Sequence, residues 1–171
     1  RLKNTYSNDT YVEMNLLEQV AEKNAGKAAQ YGLRSLEEGV QYQHINLLKK
    51  IYDKDADKGI EFASAVYSRT RKDDSPNLWA LNSLLEYGGE VMEQTKTNGK
   101  RPVYSQTDMR VMAESLGQEL LKMDGEALAS MTAYIPAVEK YAPNRGAQVR
   151  AKMARAGART GGRPRSSGSS A

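Results

Sequence analysis

The chain of 171 residues carries 25 basic and 21 acidic side chains, ten tyrosines, seven methionines, one histidine and no cysteine. That length fits one domain of ordinary size, and the lack of thiols excludes a disulfide framework, a cysteine nucleophile and any cysteine-ligated zinc or iron–sulfur centre. No apolar run approaches the roughly 20 residues needed to cross a bilayer, and nothing at the start reads as a signal peptide, so a soluble protein is expected. The first residue is Arg1 rather than methionine, and we expect residues to have been lost ahead of it.

Residues 1–8 show no helical period and read as an extended arm. Asp9 is placed to cap a first helix running to about Tyr31, with Val12, Leu16 and Val20 inward at steps of four; Gly32 should end it. Ser35 and Glu38 have the spacing of a capping box, opening a second helix to about Tyr52 that carries Leu36, Val40, Leu47, Leu48 and Ile51. A third runs from about Ala56 to Arg69, with Ile60, Ala63, Val66 and Tyr67 on one side. After a polar loop, Ser75 and Pro76 form a helix-start signal. They introduce the most apolar helix, with Leu78, Trp79, Leu81, Leu84, Leu85, Val91 and Met92 at the centre of the core. Within it, Gly88 and Gly89 either weaken the helix or admit a close neighbour. Ser105 and Asp108 again have capping spacing, ahead of a fifth helix with Met109, Met112, Leu116, Leu120 and Met123. A sixth spans about Glu126 to Tyr141, interrupted by Pro136, with Leu128, Met131, Ile135 and Val138 inward. No Val/Ile/Thr alternation signals a strand. The expectation is an all-α bundle of about five to six helices with an N-terminal arm (1–8), a body (9–143) and a basic C-terminal helix or tail (144–171).

The tail holds seven cations and no carboxylate, which leaves 18 basic against 21 acidic residues in positions 1–143. A mildly acidic body with a strongly basic end argues for an anionic partner at that end. Arg145, Lys152, Arg155 and Arg159 are separated by seven, three and four residues, the spacing of one helical face, with Arg150 beside it. Ala147, Ala151, Ala154 and Ala158 form the opposite face, and only Val149 and Met153 add bulk. Arg163 and Arg165 follow in a Gly/Ser/Pro-containing stretch expected to lie extended. Six of the seven cations are arginine, which grips phosphate bidentately. Lys49, Lys50, Arg69, Arg71, Lys72, Lys100 and Arg101 form a second set in the body that a bundle can bring to the same surface. No zinc finger, basic zipper or RNP-type aromatic strand is present, so the expected contacts go to the nucleic-acid backbone, independent of sequence and sensitive to salt. A membrane-binding helix would place bulky apolar residues opposite its charges, where this one has alanines.

Catalytic residues are sparse. His44 sits beside an apolar face and reads as a packing or hydrogen-bonding residue. Asp53, Asp55 and Asp57 alternate like a calcium loop, but the glycine comes at Gly59 and Ser64 stands where the closing glutamate belongs. Gly99 and Lys100 lack the rest of a phosphate-binding loop. The reading is therefore a non-enzyme without cofactor, metal or small-molecule substrate.

The cysteine-free helical body (Asp9 to Tyr141), the arm and the cations Arg145, Arg150, Lys152, Arg155 and Arg159 together resemble the major coat proteins of filamentous archaeal viruses, of the lipothrixvirus and rudivirus type. The resemblance is architectural. It implies identical or paralogous coat subunits that pair, wrap double-stranded DNA and stack into a helical filament in the virion, with the tail arginines and some body cations facing DNA. A membrane envelope is not indicated by the residues. The abundance of Gln, Asn and Met departs from what heat adaptation favours. Two alternatives are a cytoplasmic DNA- or RNA-binding accessory protein, such as a nucleoid or packaging factor, and a helical adaptor docking on an acidic partner.

Overall fold

The computed structural model describes the backbone of residues 3–72 and 76–160 and the side chains of 12–72 and 76–158. Among the described residues there are α-helices and two short 3-10 turns, and no strand. The helices are α1 (Lys3–Lys23), α2 (Ala25–Ser35), α3 (Tyr42–Lys54), α4 (Ala56–Thr70), α5 (Leu78–Asn98), α6 (Gln106–Leu121), α7 (Gly125–Ala129), α8 (Ile135–Tyr141) and α9 (Pro143–Thr160). The chain divides into two compact units, Arg1–Met112 and Ala113–Ala171.

In the first unit α3 is central, packing on α1, α2, α4 and α5. Leu47, Leu48, Ile51, Phe62, Val66, Leu81, Leu84, Leu85, Met109 and Met112 are fully shielded from solvent. Burying each such side chain contributes on the order of 2 kcal/mol relative to leaving it in water. The all-α expectation holds; of the α5 residues expected at the core centre, Leu81, Leu84, Leu85 and Val91 are buried, while Leu78, Met92 and Trp79 are half-buried, the Trp79 ring standing 6.1 Å from that of Tyr42. Glycines set the closest approaches. A methyl group on Gly32 would stand 2.8 Å from Leu47 and 2.9 Å from Phe62, and one on Gly88 would stand 2.6 Å from the sulfur of Met109. Gly32 thus lies inside α2 as a contact point rather than ending a helix.

Several expected boundaries are corrected. The arm over 1–8 is replaced, from Lys3 on, by the first turns of α1. No glycine or proline interrupts Lys3–Asn8, and a helix anchored downstream by Met14, Leu17 and Ala21 extends at one hydrogen bond per residue. Asp9 therefore lies within the helix rather than at its start. The first predicted helix breaks at Asn24, whose backbone is extended (φ −153°) and whose side chain accepts the N–H of Lys27 at 3.0 Å, starting α2. Ser35 ends α2 instead of capping the next helix, and Gly39 (φ 113°) turns the chain before α3. Asn77, rather than Ser75, caps α5 by accepting the N–H of Ala80. The Ser105/Asp108 box is present: Asp108 N donates to Ser105 Oγ at 3.0 Å, and Ser105 N to the Asp108 carboxylate at 3.3 Å.

The second unit buries Ala113, Leu116, Leu120, Leu128, Ile135, Val138, Ala142 and Val149. The single expected helix over 126–141 is three pieces, α7, a 3-10 turn at Thr132–Tyr134 and α8, because Pro136 has no N–H to donate and suits only the first turn of a helix. Residues 143–160 form α9, which packs on α8 and α7. The basic segment up to Thr160 is thus built into this unit and is not a separate tail beginning at 144. Contact between α8 and α9 is backbone-close, since a methyl group on Gly146 would stand 2.8 Å from Glu139 Cα.

Candidate nucleic-acid interface

The residue that decides how α9 sits is Val149, which is 0% exposed. Arg145, Val149 and Lys152 are spaced four and three residues apart, so they share one face, and that face packs inward. Two members of the predicted cationic stripe, Arg145 and Lys152, therefore lie on the packing face, whereas Arg155 is exposed, as are Ala147, Ala151, Ala154 and Ala158 of the face taken as the back of the stripe. An isolated α9 has no strong reason to prefer either side. Carboxylates on the neighbouring elements supply the reason, because they receive the cations.

Arg145 donates from Nε to Glu114 of α6 at 3.0 Å and from Nη1 to Gln148 at 3.1 Å. Its aliphatic stem lies over Gly117, where any Cβ would overlap it. Arg150 makes a two-pronged pair with Glu139 of α8, at 2.8 and 2.7 Å. The hydrogen bonds from Arg150 hold the Glu139 carboxyl below its usual range, and the same partner raises the guanidinium above its own. Lys152 donates to the Leu121 carbonyl at 2.6 Å and pairs with Asp124 at 2.9 Å, closing the C-terminal end of α6. Asp124 stands at the start of α7, but its side chain makes no capping bond there. Arg155 is exposed and has no partner among the described residues. The side chain of Arg159, and all of Arg163 and Arg165, lie outside the described residues.

The body cations have other occupations. Lys50 pairs with Glu22 at 3.1 Å, and Lys54 pairs with the same carboxylate at 2.9 Å, tying α3 to α1. These two lysines lower the Glu22 carboxyl, Lys54 the more strongly. Arg69 donates to the carbonyls of Leu36 and Glu37, bracing the 3-10 turn at Leu36–Glu38 from α4. Arg101 meets Asp57 at 2.6 Å. Lys49 lies over the Tyr87 ring at 5.5 Å, Arg71 over Tyr67 at 4.6 Å and Lys100 over Tyr52 at 5.8 Å. Lys72 is exposed.

Sequence reasoning missed both kinds of partner. The carboxylates Glu114, Glu139 and Asp124 stand 31, 11 and 28 positions from their cations, beyond any local spacing rule. The tyrosines under the cations are core residues. Tyr52 donates to the Arg101 carbonyl and Tyr104 to the Ala63 carbonyl, both at 2.7 Å, and burial raises the phenols of Tyr52, Tyr87 and Tyr104 above their ordinary value.

Other polar side chains that drew notice in the sequence have structural duties. Asp55 caps α4 by accepting the N–H of Lys58 at 3.1 Å. His44 is 1% exposed; its Nδ1 accepts the Gln41 N–H at 2.9 Å and its Nε2 lies 2.7 Å from Ser35 Oγ. With Nδ1 accepting, the neutral ring carries its proton on Nε2 and donates it to Ser35, whose hydroxyl passes on to the Gly32 carbonyl at 2.9 Å. No group of three or more His, Cys, Asp or Glu with metal-binding geometry occurs among the described residues. No helix among them is long and apolar enough to cross a membrane. Comparison with protein-family models, with curated proteins and with solved structures gives no match.

Proposed function

We propose that this chain is a structural protein that binds double-stranded nucleic acid through its phosphates, independent of sequence, and assembles along it as a coat subunit. The observation that supports the reading is the distribution of compensated charge along the C-terminal segment. Arg145, Arg150 and Lys152 each have a carboxylate from the same unit, whereas Arg155 has none among the described residues and is followed by Arg159, Arg163 and Arg165 with no acidic residue to the end of the chain. Arg155 and the three arginines that follow it in the sequence make a cationic end that gains most from releasing counterions along a phosphate backbone. The interface thus narrows to Arg155, Arg159, Arg163 and Arg165.

The test is removal of residues 155–171, which spares Val149 and all three ion pairs. The truncated chain should keep its helical circular dichroism and its melting temperature while losing most of its affinity for double-stranded DNA. Unchanged affinity would move the site to the body and overturn the reading. Negative-stain images of the full chain with DNA then separate a coat, which gives regular filaments with nuclease-protected DNA, from an accessory factor, which gives discrete particles.

A further inference from the structure

Helix α1 carries two apolar faces, of which one is packed among the described residues. Met14, Leu17 and Ala21 are buried where α1 meets α2 and α3. Val12 and Leu16 are 56% and 54% exposed, and Val20, a further turn on, is half-buried. These three side chains at steps of four make a continuous outer ridge, with exposed Glu13 beside it. They are the residues that periodicity alone marks for burial, and among the described residues Val12 and Leu16 stay exposed. Elsewhere on the same unit, α2, the 3-10 turn and α4 enclose an open groove of about 700 Å³. Leu33, Leu36 and Ala65 form its apolar lining, and its charged lining, Glu37 with Arg69, Arg71 and Lys72, is net positive. The Arg69 guanidinium, also in the groove wall, is turned onto the carbonyls of Leu36 and Glu37. A small polar ligand would find few convergent donors there. An apolar ridge with an acidic flank would find both an apolar lining and a complementary charge.

We propose that the groove receives the α1 ridge of a second copy of this chain, with Leu16 over Leu33 and Ala65 and Glu13 facing Arg71 and Lys72. The ridge and the groove share no residue, so the contact is heterologous. Each copy offers a ridge to one neighbour and a groove to another, which builds a ring if the rotation closes and an open helical filament if it does not. The inference rests on the self-assembly part of the coat reading and needs nothing from its nucleic-acid part.

The absence of native cysteine makes the test clean. Leu16→Cys and Ala65→Cys variants of the full chain, each checked for unchanged circular dichroism, are mixed free of nucleic acid, oxidised and run without reductant. The mixture should yield a disulfide-linked dimer, and the doubly substituted chain a ladder of higher species. Each single variant alone should stay monomeric. Glu13→Lys should reduce the cross-linked yield several-fold, and Lys72→Glu on the partner variant should restore it. Efficient dimers from Leu16→Cys alone would mean that ridges pair with each other and would overturn the proposal. So would the absence of any cross-link from the mixture at concentrations where the wild-type chain sediments as an oligomer, or a wild-type chain that sediments as a monomer at every concentration. DNA binding measured on the same preparations keeps the two ideas apart: binding without a ladder removes only this interface, and a ladder without binding removes only the nucleic-acid reading.

Discussion

At the scale of single residues, His44 ties three segments together. Its ring takes the N–H of Gln41 at the start of α3 and reaches Ser35 at the end of α2, while Ser35 also lies 3.4 Å from the sulfur of Met14 in α1. Burial lowers its pKa from 6.5 to about 4, because the charged ring would lose its hydration. The folded state therefore binds fewer protons than the unfolded chain between these two values. Stability is full above pH 6.5 and falls as the pH drops toward 4, by about 3 kcal/mol in total from this group. Urea denaturation at pH 7.5, 5.5 and 4.5 should show this decline, and His44→Gln should remove most of it while lowering stability at pH 7.5. A decline of the same size in His44→Gln would assign the effect to carboxylates instead. The sequence placed this histidine as a structural residue, since one ring beside an apolar face has few other roles. Its partners were not legible, because the true cap begins at Gln41 and not at Ser35, where the Ser-x-x-Glu spacing pointed.

At the scale of elements, α1 and α9 show how a helix with a thin apolar stripe takes its orientation from its surroundings. Each could have been turned either way on its own periodicity: α1 has apolar side chains on both sides, and α9 has one large apolar residue that is fully buried among small and charged ones. For α9 the choice falls to Val149 together with the carboxylates of α6, α8 and the start of α7. The energetic weight lies with the valine. Val149→Ala should cost about 2 kcal/mol of stability by chemical denaturation, from two lost methyl groups and the space they leave. Arg150→Ala should leave the denaturation midpoint nearly unmoved, because the pair with Glu139 is solvent-exposed and screened. It should also leave DNA affinity close to wild type. A loss of affinity equal to that of Arg155→Ala would mean that Arg150 leaves Glu139 for phosphate when DNA is present.

At the scale of the whole molecule, the charge distribution sets what salt should do to binding. With Arg155, Arg159, Arg163 and Arg165 as the phosphate contacts, the logarithm of the association constant should fall against the logarithm of salt concentration with a slope of about −3.6; engagement of all seven C-terminal cations would bring it to about −6. Fluorescence anisotropy over a salt series distinguishes the two, and a slope near zero would exclude a phosphate-driven interface. By itself the sequence determined that the described chain is all-helical without strands, that α5 is strongly apolar and that the C-terminal end is basic. These are properties of composition and local period, which act over one or two turns and survive in any packing. The tertiary structure decided that Lys3–Asn8 joins α1, that Arg145 and Lys152 of α9 turn toward their unit while its alanines face solvent, and that Val12 and Leu16 are left exposed. Those outcomes depend on pairing groups from separate elements, such as Arg145 with Glu114 or Gly32 with Leu47 and Phe62. The energy of such contacts exists only once the chain has brought distant residues together, so no local spacing encodes them.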